Sequence, residues 1–142
     1  AMTLALDKFH SLMARYGQDA VPVPCPGLVE LIEAGETDGP RIQAKLVELL
    51  GAHLTKPVKA VVLGCTHYVF LRRALAALLP PDVALVDGNL GTVRQLQARL
   101  AEGGLLGGGR PPCEPQFLST SPDAAIPQRM RAWFLRALAD AA

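Results

Sequence analysis

The chain has 142 residues, 14 Lys and Arg against 13 Asp and Glu, and a hydrophobic fraction of 50%, which is enough apolar material for one domain of ordinary size. Its net charge of +1, with no basic run longer than two residues, excludes a nucleic-acid or membrane-surface specialist. No apolar stretch approaches the roughly 18–20 residues of a membrane helix. Three cysteines at distant positions do not form a disulfide framework, so a reducing cytoplasm is the expected setting. The first fourteen residues lack the basic-then-apolar order of a signal peptide.

Ala5, Phe9, Leu12, Met13 and Tyr16 fall on one helical face before Gly17 stops the run. Residues 20–23 suit a short strand at a sheet edge, limited by Pro22, and lead into Pro24-Cys25-Pro26. Leu28, Val29, Leu31 and Ile32 predict a short helix closed by Gly35. Thr37 or Asp38 is the expected cap of the next helix, with Pro40 in its first turn and Ile42, Leu46, Leu49, Leu50 and His53 along its apolar face.

Val58 to Leu63 is apolar except for Lys59, as expected of a buried parallel strand. Leu71, Leu75, Leu78 and Leu79 then resume helical spacing. Val83 to Val86 is a second strand candidate, ending at Asp87-Gly88-Asn89, and Val93, Leu96 and Leu100 mark another helix that ends at Gly103-Gly104. Gly107-Gly108-Gly109 and Pro111-Pro112 read as a linker. Residues 116–119 form a last short strand candidate, and Ile126, Met130, Trp133, Phe134, Ala137 and Leu138 the apolar face of a final helix.

Strands alternating with helices through short connections predict an α/β fold, a parallel sheet with helices on both faces. Ligands in such sheets sit beyond the carboxyl ends of the strands. That directs attention to residues 64–68, after the first buried strand, and to residues 87–92, after the second. Cys65 stands there at the expected start of a helix, where backbone N–H groups favour a thiolate or a bound carboxylate. His67 is placed to pair with either, and the Thr66 hydroxyl can hydrogen-bond a carboxylate. Taken singly, these residues read more readily as a small buried hydrophobe and a satisfied histidine than as catalysts. A Cys-x-His spacing with no further Cys or His pair nearby does not complete a metal site. Cys25, flanked by prolines, reads as structural and Cys113 as incidental; Asp87 reads as a turn-closing residue. The glycine triplet lacks the context of a phosphate loop.

The stretch Val61-Val62-Leu63-Gly64-Cys65-Thr66-His67-Tyr68 resembles the second catalytic motif of the cofactor-independent glutamate racemases. Residues 24–35 resemble the segment that precedes it in that family. Residues 85–92 resemble the strand and loop that follow, and residues 117–121 with the Trp133 helix resemble the family's C-terminal strand and helix. The likeness runs nearly the whole chain. It departs at Val69, where the family usually has Pro, and neither the Asp-Ser-Gly nor the Cys-Asn-Thr motif of the family's N-terminal half occurs here.

The resemblance implies a racemase-like lobe, incomplete relative to a two-lobed parent. Residues 1–102 would form most of the second lobe, 103–115 a linker, and 116–142 a strand and helix completing the first lobe. It implies interconversion of L- and D-glutamate for peptidoglycan synthesis, with no cofactor and no metal. In those roles Cys65 would exchange the α-proton, Thr66 would hold the α-carboxylate, and His67 would assist Cys65 with Glu33, rather than Glu30, as its carboxylate partner. The expected partners are glutamate and, through the uncovered face of the last helix, a second copy of the chain. With one such thiol, the isolated chain is expected to be inactive or to exchange the proton of one enantiomer. The alternatives are a carboxylate-binding module without catalysis, and a related racemase or decarboxylase with another substrate.

Overall fold

The computed structural model describes residues 3–107, 109 and 113–141. The chain divides into two compact units, one up to Thr92 and one from Val93 onward.

In the first unit, α1 (Asp7–Tyr16) ends at Gly17, as its spacing predicts, and its Phe9 and Met13 are half-buried. Residues 20–25, the expected edge strand, form no regular structure. Pro22 and Pro24 remove two backbone donors from that stretch, and no described strand pairs with it. Helix α2 (Leu28–Glu33) begins after Gly27, whose φ of 77° only glycine adopts cheaply. It ends in a Schellman motif: the Gly35 N–H donates to Ile32 O at 2.8 Å and the Glu36 N–H to Leu31 O at 3.0 Å, with Gly35 at φ 89°.

Helix α3 (Pro40–Leu50) carries Pro at its first position, but its cap differs from expectation. Gly39 occupies the cap with φ 94°, Asp38 Oδ1 accepts the Gly39 N–H at 2.8 Å, and Thr37 is buried instead. Ile42 and Leu46 are buried and Leu49 and Leu50 half-buried, while His53 is exposed because the helix stops three residues before it.

Strands β1 (Ala60–Val62) and β2 (Ala84–Val86) pair in parallel, Val61 opposite Leu85. The connection between them is a 3-10 turn (Thr66–Leu71) running into α4 (Arg72–Leu78), so the expected βαβ unit is present. The strands are shorter and more open than a continuous apolar run predicts. Burial alternates along both, and Val62 is 70% exposed. The core lies on the helical side. Leu28, Ile32, Ile42, Leu46, Leu63, Leu71, Ala74, Leu75 and Leu79 are its buried side chains. Gln43 Nε2 donates to Ala74 O at 3.1 Å and links α3 to α4.

Helix α5 (Asn89–Glu102) buries no residue and closes in a second Schellman motif, with the Leu105 N–H donating to Leu100 O at 2.8 Å and Gly104 at φ 64°. In the second unit, residues 116–119 form no strand, and Leu118 is exposed. Helix α6 (Ile126–Ala141) follows a turn in which Asp123 Oδ1 accepts the Ala125 N–H at 2.9 Å and Oδ2 pairs with Arg129 at 2.7 Å. The Phe117 and Phe134 rings meet at 5.6 Å, and Arg136 lies 5.7 Å from the Trp133 ring centre. The expected linker falls partly on residues 108 and 110–112, outside those described. No described helix is long and apolar enough to cross a membrane.

This burial pattern sets a testable contrast. Ile42→Ala, at a fully buried position, is expected to cost about 2–5 kcal/mol in denaturant unfolding, whereas Val62→Ala on the open strand face should stay within about 0.5 kcal/mol.

Candidate active site

Two loops leave the carboxyl ends of β1 and β2. The second is closed by its own bonds. Asp87 pairs with Arg72 at the start of α4, and its Oδ1 accepts the Asn89 N–H at 2.8 Å, opening α5. Arg72 first, and then the Asn89 N–H, hold the Asp87 carboxyl below its usual range. Asp87 therefore ties the two loops together, in keeping with a turn-closing residue.

The first loop stays open. Cys65 is extended (φ −139°, ψ 140°) and caps the 3-10 turn, whose first bond runs from the Tyr68 N–H to Cys65 O at 3.1 Å. This element differs from the α-helix start expected after Gly64. The tighter 3-10 winding brings residue 67 round toward the thiol. Cys65 Sγ lies 3.7 Å from His67 Nδ1, and His67 Nε2 lies 3.3 Å from Glu33 Oε1 at the last turn of α2. The three side chains thus form a line from thiol to imidazole to carboxylate. With Nε2–H directed to Glu33, the neutral ring presents Nδ1 as an acceptor to the thiol; the protonated ring donates to a thiolate.

Glu33 is about two-thirds exposed and His67 about one-third, so the pair orients the ring more than it stabilises the fold. The carboxylate paired with His67 is Glu33 rather than Glu30. Thr66 is exposed at the first position of the turn, and its hydroxyl has no partner among the described residues.

The structure adds two residues, Cys25, which the sequence reads as structural, and Tyr68, to which it assigns no role. Cys25 is half-buried just before α2, its thiol donates to Val23 O at 3.4 Å, and Tyr68 and Cys65 are near enough to act on its ionisation. Burial pushes the Cys25 thiol up, opposed by the nearby Tyr68 hydroxyl. Burial, with the two nearby cysteines, pushes Tyr68 up to about 12. The available signal was positional: each cysteine precedes a short helical element, and α2 packs against the turn at 66–71. Cys113 is exposed in the second unit. A surface groove of about 390 Å³ between α2 and α3 is lined by Gly27, Leu31, Arg41, Ala44, Lys45 and Glu48, and shares none of the residues around Cys65. Among the described residues no cluster of three or more His, Cys, Asp or Glu is placed to hold a metal.

No protein-family profile matches the chain. A glutamate racemase from Clostridium kluyveri is 49% identical over 100 residues, covering 70% of this chain and 39% of the relative. One from Pseudomonas paraeruginosa is 39% identical over 130 residues, covering 90% and 47%. The chain is a homologue of the glutamate racemases. The solved structures agree. Glutamate racemase from Thermus thermophilus, in complex with beta-chloro-D-alanine, superposes with a TM-score of 0.66 at 31% identity over 86% of this chain and 48% of that one. The enzyme from Francisella tularensis, in complex with D-glutamate, gives 0.61 at 30% identity over 72% and 39%. The α/β fold with its small parallel sheet is therefore the racemase type. The chain spans less than half the length of these curated relatives.

Tyr68 provides a direct check on the site's geometry. In a Tyr16→Phe background, absorbance titration should place the Tyr68 phenol at about 12. Cys25→Ala should lower that value, since it removes a neighbouring charge and a hydrogen-bond acceptor. An unchanged midpoint would mean that the two side chains do not meet.

Proposed function

We propose that this chain supplies one proton-transfer half-site of a glutamate racemase, with Cys65 as the group that exchanges a proton with the α-carbon of glutamate. The observation that carries this reading is the Cys65–His67–Glu33 line, 3.7 Å and 3.3 Å long, at the carboxyl end of β1 within the homologous stretch. In this reading the substrate α-carboxylate sits at the head of the 3-10 turn, on the Thr66 hydroxyl. The Cys65 thiolate takes the α-proton from L-glutamate on one face and returns it in the reverse direction. His67 accepts the thiol proton to regenerate the thiolate, and Glu33 keeps the ring turned so that Nδ1 faces sulfur. No cofactor enters the step. The parent activity would supply D-glutamate for peptidoglycan from the cytoplasm.

Racemisation by two bases needs a thiol on each face of the α-carbon. Among the described residues one thiol, Cys65, lies beside an imidazole. The purified chain is therefore expected to exchange the α-proton of L-glutamate in heavy water, followed by NMR, without forming D-glutamate. Cys65→Ala should abolish this exchange. His67→Ala should slow it by about 100-fold or more, and Glu33→Gln by less. Full racemisation that is lost in Cys65→Ala would overturn the half-site reading; absence of exchange with either enantiomer would overturn catalysis by this chain.

The same reading extends to association. On α6, Met130, Phe134, Leu135 and Leu138 are exposed, and apolar faces of this kind seek cover. A second copy of the chain is the proposed cover. Sedimentation velocity should then show a dimer or larger species, and a monodisperse monomer would count against it.

A further inference from the structure

We propose that the Arg72–Asp87 ion pair is a positioning device for the Cys65–His67 contact. It fastens the far end of the 3-10 turn to the end of β2, and so fixes the rotation of the turn that sets residue 67 against residue 65. The inference rests on the proton-transfer reading of Cys65, in which neither Arg72 nor Asp87 touches substrate.

Three observations carry it. The first is that the segment bearing the site is fastened at both ends to consecutive residues of one strand end. At its near end the Leu63 N–H donates to Val86 O at 2.8 Å. At its far end the Arg72 guanidinium pairs with Asp87. Cys65, Thr66 and His67 lie between these two fastenings. The second is how firmly Asp87 is itself held. Its Oδ1 accepts the Asn89 N–H at 2.8 Å, its Oδ2 takes Arg72, and its side chain is 11% exposed against 49% for Arg72. Asp87 cannot swing to follow Arg72 without giving up its bond at the start of α5.

The third is what the core leaves undetermined. Leu71, the residue before Arg72, is fully buried. Apolar burial is non-directional, so it sets the depth of the turn and resists its rotation only through packing. A charge-assisted hydrogen bond has a direction, and Arg72 is the first residue of α4, where the turn ends. The contact from Cys65 Sγ to His67 Nδ1 is already long at 3.7 Å, so a small rotation of the turn is enough to lose it. An ion pair half open to solvent contributes little to global stability. Its loss should therefore leave the fold intact and show at the site.

The test uses the full chain and follows α-proton exchange of L-glutamate in heavy water by NMR. Asp87→Asn keeps an oxygen for the Asn89 N–H and removes the charge facing Arg72. It should slow exchange roughly tenfold at saturating glutamate, with KM changed by less than about twofold and the urea midpoint close to wild type. Arg72→Gln should match it, and Arg72→Lys should regain most of the rate. In a His67→Ala background Asp87→Asn should add nothing, because no imidazole is left to position. A variant that only loosened the fold would slow exchange in both backgrounds. A second readout needs no catalysis. In proton–carbon NMR of the histidine rings, Asp87→Asn should move the His67 cross-peak, while those of His10 and His53, both exposed, stay in place. If the wild type exchanges no proton, the proton-transfer reading falls and the His67 cross-peak still decides the positioning. A stationary His67 cross-peak would overturn the proposal, as would equal slowing by Asp87→Asn with and without His67.

Discussion

Leu71 is fully buried at the point where the 3-10 turn becomes α4, and the placement of the loop that carries Cys65 depends on it. A 3-10 turn has the poorer hydrogen-bond geometry of its class. It persists because its last side chain is fully buried where the turn packs on α4 and α2, in a core that also buries Ala74 and Leu75 of α4, Ile42 and Leu46 of α3 and Leu28 and Ile32 of α2. Burial of one leucine is worth about 1.5–3 kcal/mol, more than the hydrogen bonds of a single turn contribute net. With Leu71 fixed, residue 67 comes back toward residue 65. With Ile32 fixed, Glu33 on the next position of α2 comes up to the imidazole. The site is exposed, and its geometry is set by apolar residues that take no part in the chemistry.

That dependence explains which parts were legible in the sequence. The helices over 28–33 and 40–50 and the strand-turn-helix-strand over 60–86 each bury a periodic apolar face, and period and punctuation locate them. The partnership of Glu33 rather than Glu30 with His67 came from the resemblance, and its geometric cause is the one-turn offset that Ile32 imposes. Where the reading failed, a partner was missing. Residues 20–23 and 116–119 have the composition of strands, but a strand exists only when another donates to it, and composition carries no record of that. His53 continued the spacing of α3 on paper, yet the helix ends at Leu50. The cap passed from Asp38 to Gly39 because a positive φ preceding Pro40 is cheaper for glycine than for any side chain. The Cys25 environment was hidden for a related reason. It is formed by Tyr68, forty-three residues away, and local spacing does not report long-range neighbours.

The two strand-end loops divide the work between them, and the division is one of hydrogen-bond accounting. A polar side chain can serve a ligand only with bonding capacity that the fold has not already used. Both oxygens of Asp87 are already engaged. One of its oxygens is taken by the Asn89 N–H and the other by Arg72, and both bonds are internal to the loop and helix they join. A carboxylate held in this way anchors α5 and α4 to the end of the sheet, and a substrate carboxylate would in any case be repelled by it. At Cys65 the accounting is reversed. The thiol has a single long contact to a nitrogen, the Thr66 hydroxyl is unengaged among the described residues, and only the far nitrogen of His67 is committed, to Glu33. The capacity left over consists of a sulfur that can carry negative charge, an imidazole nitrogen that can take or return a proton, and a hydroxyl donor at the head of a turn. Those are the groups that binding a carboxylate and moving a neighbouring proton require, and they occur together at one of the two loops only.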